Sequence, residues 1–267
     1  MTVPRLVGLR DGPARLTLVR HGESVGNVAD AEARSAGAHR LDLDTRDADV
    51  ELSERGERQA AALGRWWREQ GVRPSLVLSS PYERAHATAR IAVGDRGLDR
   101  GLDRGLDTGL EVVLDERLRE RDLGLFDGMT GAGIRAGHSE EAERRSRVGK
   151  FYYQPPSGES WADVVLRVRS LLADLRHGFT DADVWVFTHQ AVIMSFRYVL
   201  EGLTEQRLLE IDRHEDIPNV SLTVYRHTGE GLELDRFADT EVVDRSETEA
   251  TAEDSARESA RESASGG

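Results

Sequence analysis

Short apolar runs recur along this chain, and each stops abruptly on polar or charged residues. Leu16-Thr17-Leu18-Val19 is apolar and partly β-branched without helical spacing, which predicts a buried strand ending at Arg20-His21-Gly22. Ser75-Leu76-Val77-Leu78-Ser79-Ser80 and Asp183-Val184-Trp185-Val186-Phe187-Thr188 repeat the pattern, and Leu110-Glu111-Val112-Val113-Leu114 and residues 220–226 predict two more strands. Helical spacing lies between these runs. Ser53 is placed to cap a helix with acids in its first turn and an apolar face at Ala60, Leu63 and Trp67. Pro81 is expected in the first turn of the next helix, where its missing N–H costs nothing, with Arg84 one turn in. Ser160 with Asp163 starts a third helix, striped at Val165, Val168, Leu172 and Leu175 and ending near Gly178. Strands alternating with helices predict an α/β fold: a single three-layer domain with a mostly parallel central sheet flanked by helices.

The remaining stretches carry little periodicity. Residues 1–15 read as a loose leader, and residues 25–50, rich in Ala, Asp and Arg, as a loop with one helical turn. Within 94–109 the unit Gly97-Leu98-Asp99-Arg100 recurs twice, the second time imperfectly. A glycine in every fourth position presents no steady face, so this segment reads as a low-complexity, mobile insertion. Residues 244–267 are Ser, Ala, Glu, Arg and Gly with no apolar stripe, which predicts a solvated tail. The folded catalytic domain is therefore expected over residues 1–243.

Composition narrows the function. The net charge of −13 over 267 residues argues against nucleic acid or an anionic membrane as the main partner. No apolar run approaches a membrane span, the first residues lack a signal-peptide core, and cysteine is absent, so the cytoplasm is the expected compartment. Lys150 is the only lysine, the other bases being arginine. An Arg beside a His at a strand's carboxyl end, followed by Gly, fits an anion pocket containing a nucleophile. The tripeptide taken by itself equally fits a surface pair at a βα turn.

Later residues separate these readings. Arg20-His21-Gly22-Glu23-Ser24, with Asn27 six residues past the histidine, resembles the signature of the histidine phosphatase superfamily, which implies a phosphoglycerate mutase-like fold. Leu-Ser-x-x-Gly-x-x-Gln-Ala from Leu52 matches a family string whose function is mostly structural. Ser-Ser-Pro-x-x-Arg-Ala-x-x-Thr-Ala from Ser79 matches the block that carries a second phosphate-binding arginine, here Arg84. The resemblance implies that His21 attacks phosphorus to form a phosphohistidine, that His189 and Asn27 complete the phosphate pocket with Arg20 and Arg84, and that Glu120 is the acid. Glu116 and Asp122 lie near enough in sequence to be rivals for that last role. Lys150 and Tyr153 match positions that contact the sugar phosphate in fructose-2,6-bisphosphatase, although Tyr152 and Gln154 stand where that branch has arginines. Gln190, with Ala191-Val192, also resembles that branch, Met194 replacing its arginine. Ser24 joins Lys150, Tyr153 and Gln190 as an implied substrate contact.

The chemistry suits these residue types. Arginines spread the phosphate charge that would otherwise repel a nucleophile, and their charge disfavours protonation of a nearby imidazole. No metal or cofactor is implied, since no histidines stand at helical i,i+4 spacing with acids. The expected activity is hydrolysis of a small phosphorylated metabolite. The rivals are mutase-type phosphoryl transfer and a non-catalytic phosphate-recognition or scaffold module. No oligomeric state is implied.

Overall fold

The computed structural model describes residues 12–94 and 110–244. Its centre is one six-stranded sheet in the order β3-β2-β4-β1-β5-β6. The strands are β1 (Arg15–Arg20), β2 (Leu76–Ser79), β3 (Val112–Leu114), β4 (Asp183–Thr188), β5 (Leu222–His227) and β6 (Leu232–Asp239). β3, β2, β4 and β1 run parallel, while β5 and β6 add antiparallel. The expected α/β domain with a mostly parallel sheet is therefore what forms. The helices are α1 (Val25–Ala36), α2 (Glu54–Glu69), α3 (Glu83–Val93), α4 (Gly131–Gly137), α5 (Ser139–Val148), α6 (Trp161–Gly178), α7 (Gln190–Leu200), α8 (Glu205–His214) and α9 (Glu241–Asp244).

The continuous apolar runs of β1 and β4 follow from cover on both faces of the sheet. Val184 and Val186 point into a core with the α6 stripe and with Ile193 and Phe196 of α7. Trp185 and Phe187, one residue out of phase, pack against Leu63, Trp66 and Trp67 of α2 and Ala89 of α3. The Trp67 and Trp185 rings meet edge to face at 4.7 Å. Among the described residues no helix is long and apolar enough to cross a membrane.

Several local expectations need correction. Residues 25–50 hold a twelve-residue helix, α1, rather than a single turn. Its buried positions are only Ala29 and Ala33, too small a stripe to register as periodicity. What starts it is a reciprocal capping box between Ser24 and Asn27, and Gly37 ends it in the left-handed conformation. Pro81 lies one residue before the cap Tyr82 rather than in the first turn of α3, so Arg84 is the second helical residue. β6 and α8 carry too few contiguous apolar positions to have announced themselves. Residue Gly94 ends α3, while the repeats at 97–108 fall outside the described residues, as do most of the leader and of the tail.

Candidate active site

β4 lies between β1 and β2, and its ladder continues past the strand ends. The His21 amide donates to Thr188 O at 3.0 Å, and the Ser80 amide donates to Phe187 O at 2.9 Å. His21, Ser80 and His189 therefore arrive side by side at the carboxyl rim of the sheet. The two imidazole centroids are 5.1 Å apart. Arg20, His21, Arg84 and His189 are all buried, His189 completely.

His21 Nδ1 is 2.7 Å from Gly22 O. A carbonyl can only accept, so Nδ1 carries the hydrogen and Nε2 keeps its lone pair. Burial first, then the charges of Arg84 and Arg20, hold the His21 pKa well below the ordinary imidazole range. Burial and Arg84 do the same for His189, with smaller contributions from His21, Arg167 and Arg20. Both rings are thus neutral at ordinary pH, each with one ring nitrogen bearing hydrogen and one bearing a lone pair.

The loop that presents His21 is clamped through its backbone. Gly22 N donates to Thr88 Oγ1 at 2.9 Å, Glu23 N to Gln59 Oε1 at 2.8 Å, and Asn219 Nδ2 to His21 O at 2.9 Å. Gln59 and Thr88 belong to the two motif strings, and the work of both is to hold this loop. A Cβ on Gly56 would sit 1.9 Å from Glu23 O, backbone against backbone. We expect Gly56→Ala to lower stability by about 2–3 kcal/mol, because neither chain segment can retreat. An unchanged urea midpoint would show that the loop yields.

A cavity of about 630 Å³ opens beside the rim. His21, Ser24, Asn27, Arg84, Glu120, Lys150 and Gln190 line it, whereas Arg20 and His189 do not contribute to its walls. Tyr153 also lies outside the lining. Its hydroxyl donates to Glu141 at 2.8 Å, and burial together with that bond pushes its pKa up to about 12. Of the three acids near Leu118, Glu116 is exposed and off the cavity, while Asp122 lines it with a carboxylate that accepts from Gly124 N at 2.7 Å. Glu120 accepts from its neighbour's amide, Arg121 N, at 2.7 Å, and its other oxygen lies 3.4 Å from Ala191 N in the first turn of α7.

Of the other lining residues, Asp47 and Arg145 had no periodic or motif signal. Asp47 meets Arg84 in an ion pair at 2.9 Å, and its carbonyl accepts from Arg84 Nη1 at 2.6 Å. Arg121 and Arg145 stand on the same lining as Lys150, which is paired with Asp212 at 2.7 Å. Burial lowers the Arg121 pKa; Glu120, Asp212 and Glu159 oppose the shift, and Arg145 adds to it. Among the described residues no group of three His, Asp or Glu side chains is placed to hold a metal ion. The arrangement can bind an anion at Arg84, offer it an imidazole lone pair, and present a carboxyl group in the same cavity.

A family profile described as the histidine phosphatase superfamily (branch 1) matches residues 16–240. The chain is 30% identical over 210 residues to a 6-phosphofructo-2-kinase/fructose-2,6-bisphosphatase of Caenorhabditis elegans, covering 79% of this chain and 38% of that protein. It is likewise 30% identical over 210 residues to a 2,3-bisphosphoglycerate-dependent phosphoglycerate mutase of Chelativorans, covering 77% of this chain and 90% of the mutase. The chain spans about half the length of several other curated relatives that it matches. Among solved structures, a mycobacterial glucosyl-3-phosphoglycerate phosphatase in complex with VO3 superposes with a TM-score of 0.64 at 29% identity, over 85% of this chain and 99% of that one.

Proposed function

The chain belongs to the histidine phosphatase superfamily, and we propose that it is a metal-independent phosphomonoester phosphatase working through a phosphohistidine on His21. The observation that carries this reading is His21 itself: a buried, neutral imidazole, tied at Nδ1 to Gly22 O, at a cavity that also holds Arg84 and Glu120. Nε2 attacks phosphorus in line as the P–O bond to the leaving group breaks, while Arg84 and Asn27 on the cavity wall, with Arg20 and His189 buried beside His21, hold the equatorial oxygens. Glu120 gives its proton to the departing alkoxide. It then takes a proton from the water that attacks the phosphohistidine, releasing inorganic phosphate and restoring His21.

The substrate is a small phosphorylated metabolite. Arg121, Arg145 and Lys150 on the cavity wall favour one that carries a second anionic group. Arg121→Ala should raise KM for 3-phosphoglycerate or fructose 2,6-bisphosphate about 10-fold or more and leave p-nitrophenyl phosphate nearly unaffected. Equal KM changes for all three would remove the second-anion reading.

Phosphate release from p-nitrophenyl phosphate, fructose 2,6-bisphosphate, 3-phosphoglycerate and glucosyl-3-phosphoglycerate, with chelator present, tests the proposal. Turnover that survives chelator supports it. Phosphoryl transfer between phosphoglycerates after bisphosphoglycerate priming, without hydrolysis, would replace it with mutase chemistry.

The depressed histidine pKa values set the pH dependence. With folded values below 6.5, the unfolded chain binds more protons between those values and 6.5, so stability falls as pH drops through that window. Activity should show no histidine limb near pH 6.5, only a decline well below it. A kcat/KM limb centred near 6.5 for p-nitrophenyl phosphate would mean that His21 titrates as an ordinary surface imidazole.

A further inference from the structure

We propose that Ser80 is a positioning residue that decides which nitrogen of His189 carries the hydrogen, leaving Nδ1–H as a donor to the phosphate beside His21. This rests on the reading above that His189 contacts the transferred group.

Ser80 Oγ lies 2.9 Å from His189 Nε2 and accepts from the Tyr82 amide at 3.2 Å. Pro81, having no N–H, leaves Tyr82 as the first amide after Ser80 able to make that contact. Both Ser80 and His189 are fully buried, and His189 Nδ1 has no hydrogen-bond partner among the described residues. Two arrangements are open to this pair. If Nε2–H donated to Ser80, the buried hydroxyl hydrogen would be left without an acceptor. Nδ1 would then present a bare lone pair to an incoming anion. If instead Ser80 O–H donates to Nε2, the hydroxyl is satisfied on both sides and Nδ1 must carry the ring's one hydrogen. The first arrangement leaves two buried groups unmade, the hydroxyl hydrogen and the Nδ1 lone pair, whereas the second leaves only Nδ1–H, which an entering phosphate accepts. The smaller cost selects the second, and the burial that keeps His189 neutral removes the doubly protonated alternative.

His21 and His189 then share one tautomer and use it in opposite senses. In His21 the Nδ1–H is tied to a carbonyl and the bare Nε2 attacks. In His189 the bare Nε2 is tied to a hydroxyl and Nδ1–H meets the phosphate oxygen. A carbonyl and a hydroxyl, placed at the ends of the two strands that flank β4, assign the two roles.

The test is a 15N–1H spectrum of histidine-labelled protein without ligand, paired with p-nitrophenyl phosphate kinetics. The native protein is expected to show His189 protonated at Nδ1 and bare at Nε2. In Ser80→Ala the His189 signal should move toward the Nε2–H form, with kcat lowered about 10²-fold, as for loss of one preorganised donor. KM should change less, and Ser80→Thr, which keeps the hydroxyl, should restore both the signal and the rate. Native His189 protonated at Nε2 would overturn the proposal, and so would Ser80→Ala with native kcat, or with reduced kcat and an unmoved tautomer. Should Ser80→Ala fail to fold, the native spectrum and the threonine variant still decide. The tautomer is read in the free protein, so absence of His21-dependent turnover would sink the phosphatase reading separately.

Discussion

His21→Ala is expected to lower turnover of every phosphomonoester by about 10⁴-fold or more, the scale seen when a covalent nucleophile is removed. The loss should fall on kcat, because Arg20 and Arg84 remain to bind the phosphate. The same variant should take up no label from a 32P-labelled substrate, whereas the native enzyme, quenched in alkali, should retain an acid-labile phosphohistidine. The ring is buried and held through Gly22 O, and the backbone contacts of Gly22 and Glu23 do not involve it, so the loop should keep its shape in the variant. Labelling that persists without His21 would place the nucleophile elsewhere.

Glu120→Gln is expected to cost about 10²–10⁴-fold, and the loss in phosphoenzyme formation, read in kcat/KM, should depend on the leaving group. An alkoxide needs the proton that Glu120 supplies, while p-nitrophenolate leaves without it. Formation of the phosphoenzyme from p-nitrophenyl phosphate should therefore be spared. Its hydrolysis, which needs Glu120 as base, should be slow, so the variant accumulates labelled His21. Asp122→Asn serves as the control: its carboxylate holds Gly124 N and should matter little to either step. A leaving-group-independent loss of kcat/KM in Glu120→Gln, or trapping in Asp122→Asn, would transfer the acid role.

The strands that carry the site were readable because they are buried on both faces, which forces continuous apolar runs that end where chemistry begins. Val184 to Phe187 shows this directly, its alternate residues serving two different cores. The motif strings led to His21 and Arg84, a second apolar strand ending on a histidine led to His189, and the structure brings these to one rim. Asp47 was not readable, because its contact with Arg84 joins an irregular segment to a helix 37 positions later, and no local pattern encodes such a meeting. α1 was hidden for a different reason: alanines at 29 and 33 bury too little to mark a face, and the helix is specified by its cap. Tyr153 matches a substrate-contacting position in sequence, yet Glu141 on α5 holds its hydroxyl outside the cavity.

The placement of β1 between β4 and β5 has a consequence for biosynthesis. β1 is the first of these strands to leave the ribosome, but Arg15 must wait for Asp183, 168 residues later, and longer still for β5. Through most of translation an apolar segment has both hydrogen-bonding edges open, the condition that invites pairing with other chains. Its residues at that stage are those a nascent-chain chaperone would cover. His21 at its end can acquire neutral burial only after β4 arrives, so a half-made chain holds it as a solvated imidazole and the site forms late and all at once.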